Sequence, residues 1–414
     1  MKKKFYVGVG IENCWMAQTD RPGKRLLDVF LQMQHYDKWK QDLQLVKDLG
    51  TNTIRYSVPW YKSNPSPGKY DWDWIAGPLD WLMENGVTPV VDLIHYGTPT
   101  WMDNGFINSQ FPERFAEYAY AFARRFDDLV DHYTPMNEPQ ALARKSGYEA
   151  LWPPYLQGAD GAFTVGFALA KAIVLASNAL RDTCADCCLI SSDCNFRPWD
   201  PYYVDGQLYE PLAMEAGLPG LELGSTVYHR LFPASLAYGK ILPGDHLVQA
   251  LNGMGYSDDD FQWFLEHAEP PDILGYNYYP DLETITSVQA REQLFRDLTE
   301  VHTGFGLPVY IMETSSGLND EKKIQWVQAL GEICKKAREQ ALPVVGINWW
   351  PLFDTIRWDY RDTDKSIEDC IVPGGWNNGL YVINKEPGLS LERVPTGAVA
   401  EFRTLCADLL GNMG

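Results

Sequence analysis

Two acidic residues stand where strand-like runs stop. In "YTPMNEPQ" (133–140) a β-favouring stretch ends and Asn137, Glu138 and Pro139 follow at once. In "PVYIMETSS" (308–316) an apolar run ends on Glu313. Either stretch alone is weak. Asn, Glu and Pro are ordinary loop residues and Pro often ends a strand, so Glu138 by itself reads as a solvated turn acid. Brought together, two carboxylates can divide acid–base work. One stays protonated to give a proton, the other ionised to attack or support an electron-poor carbon, provided their surroundings push the two pKa values apart. That requires a fold that carries both to one place.

Short β-rich apolar runs recur along the chain: "FYVGVG" (5–10), "TIRYSV" (53–58), "TPVVDLI" (88–94), "HYTPM" (132–136), "CCLISSD" (187–193), "ILGYNYY" (273–279), "PVYIME" (308–313) and "VVGINWW" (344–350). Helix-like segments lie between them. "DKWKQDLQLVKDLG" puts Trp39, Leu43, Val46 and Leu49 on one stripe and closes on Gly50. "PERFAEYAYAFARRF" opens with Pro112 in its first turn and carries Phe115, Tyr118, Ala119 and Phe122 on one face. "AFTVGFALAKAIVLASNAL" is apolar on three sides and is expected to be buried; "EKKIQWVQALGEICKKAREQ" is a further helix. Strand and helix alternating eight times predict an α/β fold, a single (β/α)8 TIM barrel over residues 1–414. No Gly-rich fingerprint follows the first strand, which argues against a dinucleotide fold. The connections at 194–272 and 351–379 are long and follow predicted strands, so they are expected to wall a pocket at the C-terminal face.

A barrel gathers its strand ends at one mouth. There stand Arg55, His95 with Tyr96, Asn137 with Glu138, Asn277 with Tyr279, Glu313, and Trp349 with Trp350. Two facing carboxylates with aromatic platforms suit glycoside hydrolysis. Arg55 beside Glu313 favours a charged carboxylate, Tyr279 is placed to hydrogen-bond it, and Asn137 to hold a sugar 2-hydroxyl. His95 reads either as a core histidine or as a ligand contact. Trp350 reads as a floor under a sugar ring or as core packing.

Composition narrows the remaining classes. A formal charge of −20 repels phosphate backbones, so nucleic acid is not an expected partner. The start "MKKKFYVGVGIENCW" is too interrupted by Gly8, Gly10, Glu12 and Asn13 for a signal peptide, and no run is read as a membrane span. "CADCC" (184–188) lacks a second cluster to complete a zinc site, and Cys187 and Cys188 read as buried thiols. The expectation is a cytoplasmic protein with no metal and no cofactor. Its partner would be a small-molecule or oligosaccharide glycoside, with homo-oligomerisation left open.

Over most of its length the sequence resembles glycoside hydrolase family 1, the β-glucosidase and β-galactosidase group of (β/α)8 retaining glycosidases. "PVVDLIHYGTPTWM" resembles its third-strand segment, which implies that His95 binds sugar. "YTPMNEP" implies Glu138 as acid/base, "DILGYNYY" implies Tyr279 against the nucleophile, and "PVYIMETSS" implies Glu313 as nucleophile. "NWWPLFDTIRW" implies that Trp350 lines the sugar site. Several such motifs in order are a strong signal, where one would be weak. Three places depart from the pattern. The family's Glu-Asn-Gly is here Glu313-Thr314-Ser315. Its first-strand glutamine gives way to "GIENCW", with Trp15 near that place. The glutamate before its last tryptophan is Arg357, before Trp358. The serine and lysine of the branch for phosphorylated sugars are not present as a clean pattern. Arg357 suits an acidic substituent on the sugar, or a loop pairing with Asp359, Asp362 or Asp364. The expected activity is a retaining β-glycosidase; transfer to another acceptor, or a carbohydrate-binding barrel with little turnover, are the alternatives.

Overall fold

A computed structural model describes residues 5–16, 25–194, 202–204, 207–209, 227–317, 319–355, 358, 361, 363–364, 377–385 and 391–411. Eight parallel staves form its centre. They are β1 (Tyr6–Ile11), β2 (Thr53–Ser57), β3 (Thr88–Asp92), β4 (His132–Thr134), β5, β6 (Leu274–Asn277), β7 (Val309–Thr314) and β8 (Val344–Trp349). β5 comes in two pieces, Cys188–Leu189 and Asp193–Cys194. The first piece pairs with β4, the second with β6, and a bridge between Ile190 and Ile273 lies between them. β1 pairs with β2 on one side and β8 on the other. The ring is therefore closed, and the fold is the (β/α)8 barrel that the alternation predicts. The strands expected from sequence all form, with ends that shift by a residue or two.

Among the described residues, the helices of ten residues or more are α1 (His35–Asp48), α2 (Asp73–Glu84), α3 (Phe111–Arg125), α4 (Gly158–Thr183), α5 (Asp258–His267), α6 (Ser287–Phe305), α7 (Asp320–Glu339) and α8 (Ala398–Gly411). α1 buries Leu43 and Val46 and ends before Gly50, whose φ of +79° takes the left-handed turn without a Cβ penalty. α3 starts at a proline and buries Phe115, Tyr118, Ala119 and Phe122. α6 begins in a reciprocal Thr286–Gln289 capping box. α4 corrects one reading of the sequence. With 26 residues it is long and apolar enough to cross a membrane, by length and composition. Here its apolar residues are largely buried, and the helix packs on α3.

Two cores hold the barrel. The large one lies between staves and helices; a small one inside the barrel comprises Val90, Ile190, Ile273, Tyr310 and Met312. Met312 and Glu313 are consecutive, and a regular strand would send them to opposite faces. The register of β7 against β8 shifts between Ile311 and Thr314, so Met312 fills the interior while Glu313 also reaches inward, to Arg55. A strand irregularity that re-aims a side chain is common beside functional sites. The aromatic pair at the end of β8 divides. Trp349 is fully buried, packs on Phe402 of α8 and donates to the Asn378 carbonyl, so it belongs to the outer core. Trp350 turns toward His95. Tyr276, on the outer face of β6, lies within 3.5 Å of Asp297 on α6 and likewise packs outward.

Candidate active site

Arg55, in the middle of β2, is the centre of the site. Its Nη1 donates to Glu313 Oε1. Its Nη2 donates to Asp92 Oδ2 and to Asn137 Oδ1, both at 2.6 Å. Nε lies 3.6 Å from Glu12 Oε1. One buried guanidinium thus ties the ends of β2, β3, β4 and β7 together, a task its planar fork suits and a lysine could not repeat. Burial works against the Arg55 charge, yet Asp92, Glu313 and Glu12 hold its pKa above the ordinary value. Burial pushes the Glu12 carboxyl well up, against the opposing pull of Arg55.

The other oxygen of Glu313 accepts a hydrogen bond from the Tyr279 hydroxyl at 2.6 Å. Glu138 is held by different donors: Tyr96 O–H to Oε2 at 2.6 Å and Asn277 Nδ2 to Oε1 at 2.9 Å. Glu138 itself adopts φ +41°, a left-handed conformation uncommon for a non-glycine residue, and its N–H donates to the Ser192 carbonyl at 2.8 Å. A strained backbone held by its surroundings is frequent where a side chain must be aimed. Burial first, and then the neighbouring Glu313 charge, push the Glu138 carboxyl up to about 7. Asn277 is also the register partner of Glu313 across β6 and β7, so the residue that donates to one carboxylate sits beside the other.

His95 faces Asp92 through Nδ1 at 3.0 Å, and its Nε2 lies 3.4 Å from Asn137 Nδ2. Trp350 lies nearly parallel to the His95 ring, with centroids 6.3 Å apart, and edge-on to Tyr279 at 6.1 Å. Trp358 packs against Tyr96 and Trp152 at 5.7 and 5.5 Å. The structure therefore brings Arg55, His95, Asn137, Glu138, Tyr279, Glu313 and Trp350 to one mouth, with Trp358 one layer out. Arg357 lies outside the described residues, as does most of the 351–379 connection.

Sequence reasoning gave no role to Glu12, Asp92 or Ser192, and none in the carboxylate network to Tyr96 or Asn277. Asp92 carried a legible signal, an acid at the end of the apolar run "PVVDLI". Ser192 carried none: its hydroxyl joins Asn137 Oδ1 at 2.9 Å and Asn277 Oδ1 at 3.2 Å only because β5 lies between β4 and β6.

A closed barrel with two buried, separately held glutamates and an aromatic wall at its C-terminal mouth is the framework of a glycosidase. The comparisons agree. A family model described as glycosyl hydrolase family 1 matches residues 15–203, which carry Arg55, His95, Asn137 and Glu138. β-Glucosidase A of Thermotoga maritima is 23% identical over 411 residues, covering 84% of this chain and 87% of that protein. The 1,4-β-D-glucan glucohydrolase of Thermotoga neapolitana is 27% identical over 398 residues with the same two coverages. β-Glucosidase 25 of Oryza sativa is 30% identical, but over 139 residues, 31% of this chain and 28% of that protein. The solved Thermotoga maritima β-glucosidase in complex with galacto-hydroximolactam superposes over the whole of both chains, with a TM-score of 0.74 at 19% identity. Residues 15–203 match glycosyl hydrolase family 1, and together with the relatives aligned over most of the chain they mark it as a glycosidase.

Proposed function

We propose that the chain is a retaining β-glycosidase that cleaves a small soluble glycoside by double displacement. Glu313 is the nucleophile: its carboxylate forms a bond to the anomeric carbon as the bond to the leaving oxygen breaks. Glu138 gives that oxygen its proton. The Glu138 carboxylate then takes a proton from water as the water oxygen attacks the anomeric carbon and releases Glu313. The observation that carries this reading is the unequal treatment of the two acids. Glu313 accepts from a cation and a phenol, whereas Glu138 is raised to about 7 and so holds a proton to give near neutrality. One guanidinium bonds both Glu313 and Asn137, the neighbour of Glu138, which supports the close carboxyl spacing that retention needs. The Asn137 amide oxygen is already occupied by Arg55 and Ser192, and one Nδ2–H faces His95, leaving the other to meet a sugar hydroxyl. Trp350 supplies an apolar face beneath the ring.

The test is a panel of aryl β-glycosides with Glu313→Gln as the blank. Release by the native chain, absent in the blank, with the first-formed sugar β by NMR, is the expected result. An α first product, or equal turnover by Glu313→Gln, would overturn the assignment.

A further inference from the structure

A second cation lies just outside the carboxylate network. Arg361 is 4% exposed, as deeply covered as the acids at the centre of the mouth. Its Nη2 donates to the Tyr155 hydroxyl at 2.9 Å, and its Nη1 faces only the Met16 sulfur at 3.0 Å. Its Nε–H has no hydrogen-bond partner, and no carboxylate among the described residues pairs with it. Such a group is costly. A buried guanidinium without a counter-charge loses its hydration and regains little from a phenol and a thioether.

Its place ties it to the site. Trp358 and Arg361 are three residues apart, as are Trp152 and Tyr155. Trp152 and Trp358 both pack on Tyr96, whose hydroxyl bonds Glu138. Met16 follows Trp15, whose backbone N–H donates to the His95 carbonyl at 3.3 Å. Two segments that pack on Tyr96 and one that bonds the His95 backbone thus meet again around Arg361.

We propose that Arg361 is a specificity residue that binds an oxyanion substituent of the glycoside, a carboxylate, sulfate or phosphate. Nε and one Nη present the two parallel donors that such a group accepts. The anion would supply the counter-charge that no described residue provides. Burial works against the Arg361 charge and lowers its pKa, a cost that a bound anion relieves. This inference rests on the glycosidase reading of the same mouth and adds the chemistry of its substrate. It concerns a residue other than Arg357.

The experiment compares matched aryl substrates: β-glucoside, β-glucuronide and phosphorylated β-glucoside for an anion on the sugar, and a carboxyphenyl β-glucoside for one on the leaving group. Native chain, Arg361→Ala, Arg361→Gln and Arg361→Lys are each checked for cooperative unfolding. The native chain is expected to favour one anionic member over its neutral match in kcat/KM. In Arg361→Gln that ratio should fall by about tenfold or more, with Arg361→Lys between. The arm that responds shows which end carries the anion. No anionic preference in any arm, or an equal loss on both members of a pair, overturns the proposal. If Arg361→Ala does not fold, Gln and Lys decide. Calorimetric binding of the anionic glycosides to Glu313→Gln, with and without Arg361→Gln, separates the two readings. Anion-dependent binding without turnover in the native chain would sink the catalytic assignment and leave Arg361 standing.

Discussion

In the proposed mechanism Glu138 must hold a proton near neutrality, and burial with the Glu313 charge raises its carboxyl to about 7. kcat/KM should therefore fall as pH rises through about 7, with a limb that Glu138→Gln removes. Glu138→Gln should cost roughly a hundredfold or more on poor leaving groups and much less on activated ones, which need little proton assistance. The same shift has a stability consequence. Between the ordinary value of 4.5 and about 7 the folded chain keeps a proton that the unfolded chain has lost, so this group's contribution falls as pH rises through that window. Glu138→Gln should gain on the native chain at about pH 8 relative to about pH 4, by something on the order of 3 kcal/mol, measured by denaturant titration at both pH values. Identical differences at the two pH values would show that the raised pKa is not real. Arg55 is the opposite case. Its removal leaves Glu313, Asp92 and Glu12 without their shared cation, so Arg55→Met should lose roughly 3–5 kcal/mol along with activity.

At the scale of elements, the site depends on irregularities. β7 must slip its register for Met312 and Glu313 both to reach the interior, and β5 must break into two pieces to meet β4 and β6. The joint at β5 and β6 leaves no room. A Cβ on Gly275 would lie 1.9 Å from the Ser191 carbonyl oxygen, which is backbone and cannot swing aside. Gly275→Ala should cost about 1–3 kcal/mol or more and disturb Asn277, two residues on, so activity falls with stability. A normal melting temperature with native kcat would contradict this. At β1, a Cβ on Gly10 would lie 2.5 Å from Trp350 Cδ1 and 2.6 Å from Glu12 Oε2, so this glycine makes space for the aromatic face beside the pocket.

At the scale of the whole molecule, closure makes the parts interdependent. The family model ends at residue 203, inside the connection after β5, yet β1 takes one of its two neighbours from β8 and β5 needs β6. A fragment of residues 1–203 would expose both edges and lose Glu313, the partner of Arg55. It should show no cooperative unfolding transition by circular dichroism, whereas a fragment with native-like cooperativity would mean that the half-barrel stands alone.

Much of this was legible beforehand, for a physical reason. Strand and helix periods are local, so the eight staves, α1, α3 and α7 follow from spacing, and the two glutamates follow from standing at strand ends. Spacing alone did not separate Trp350 from Trp349, because alternation says that neighbours diverge and not which one faces the pocket; only the family resemblance pointed to Trp350. Glu12 gave no sign of its partners, nor Ser192 of the two amides it joins, since those contacts join residues far apart in sequence. Sequence by itself determined the order of elements and the chemical types at the mouth. Only the closed barrel puts Arg55 on Glu313 and leaves Glu138 to burial, Tyr96 and Asn277. That difference depends on burial and distance across the ring, and neither exists until the ring closes.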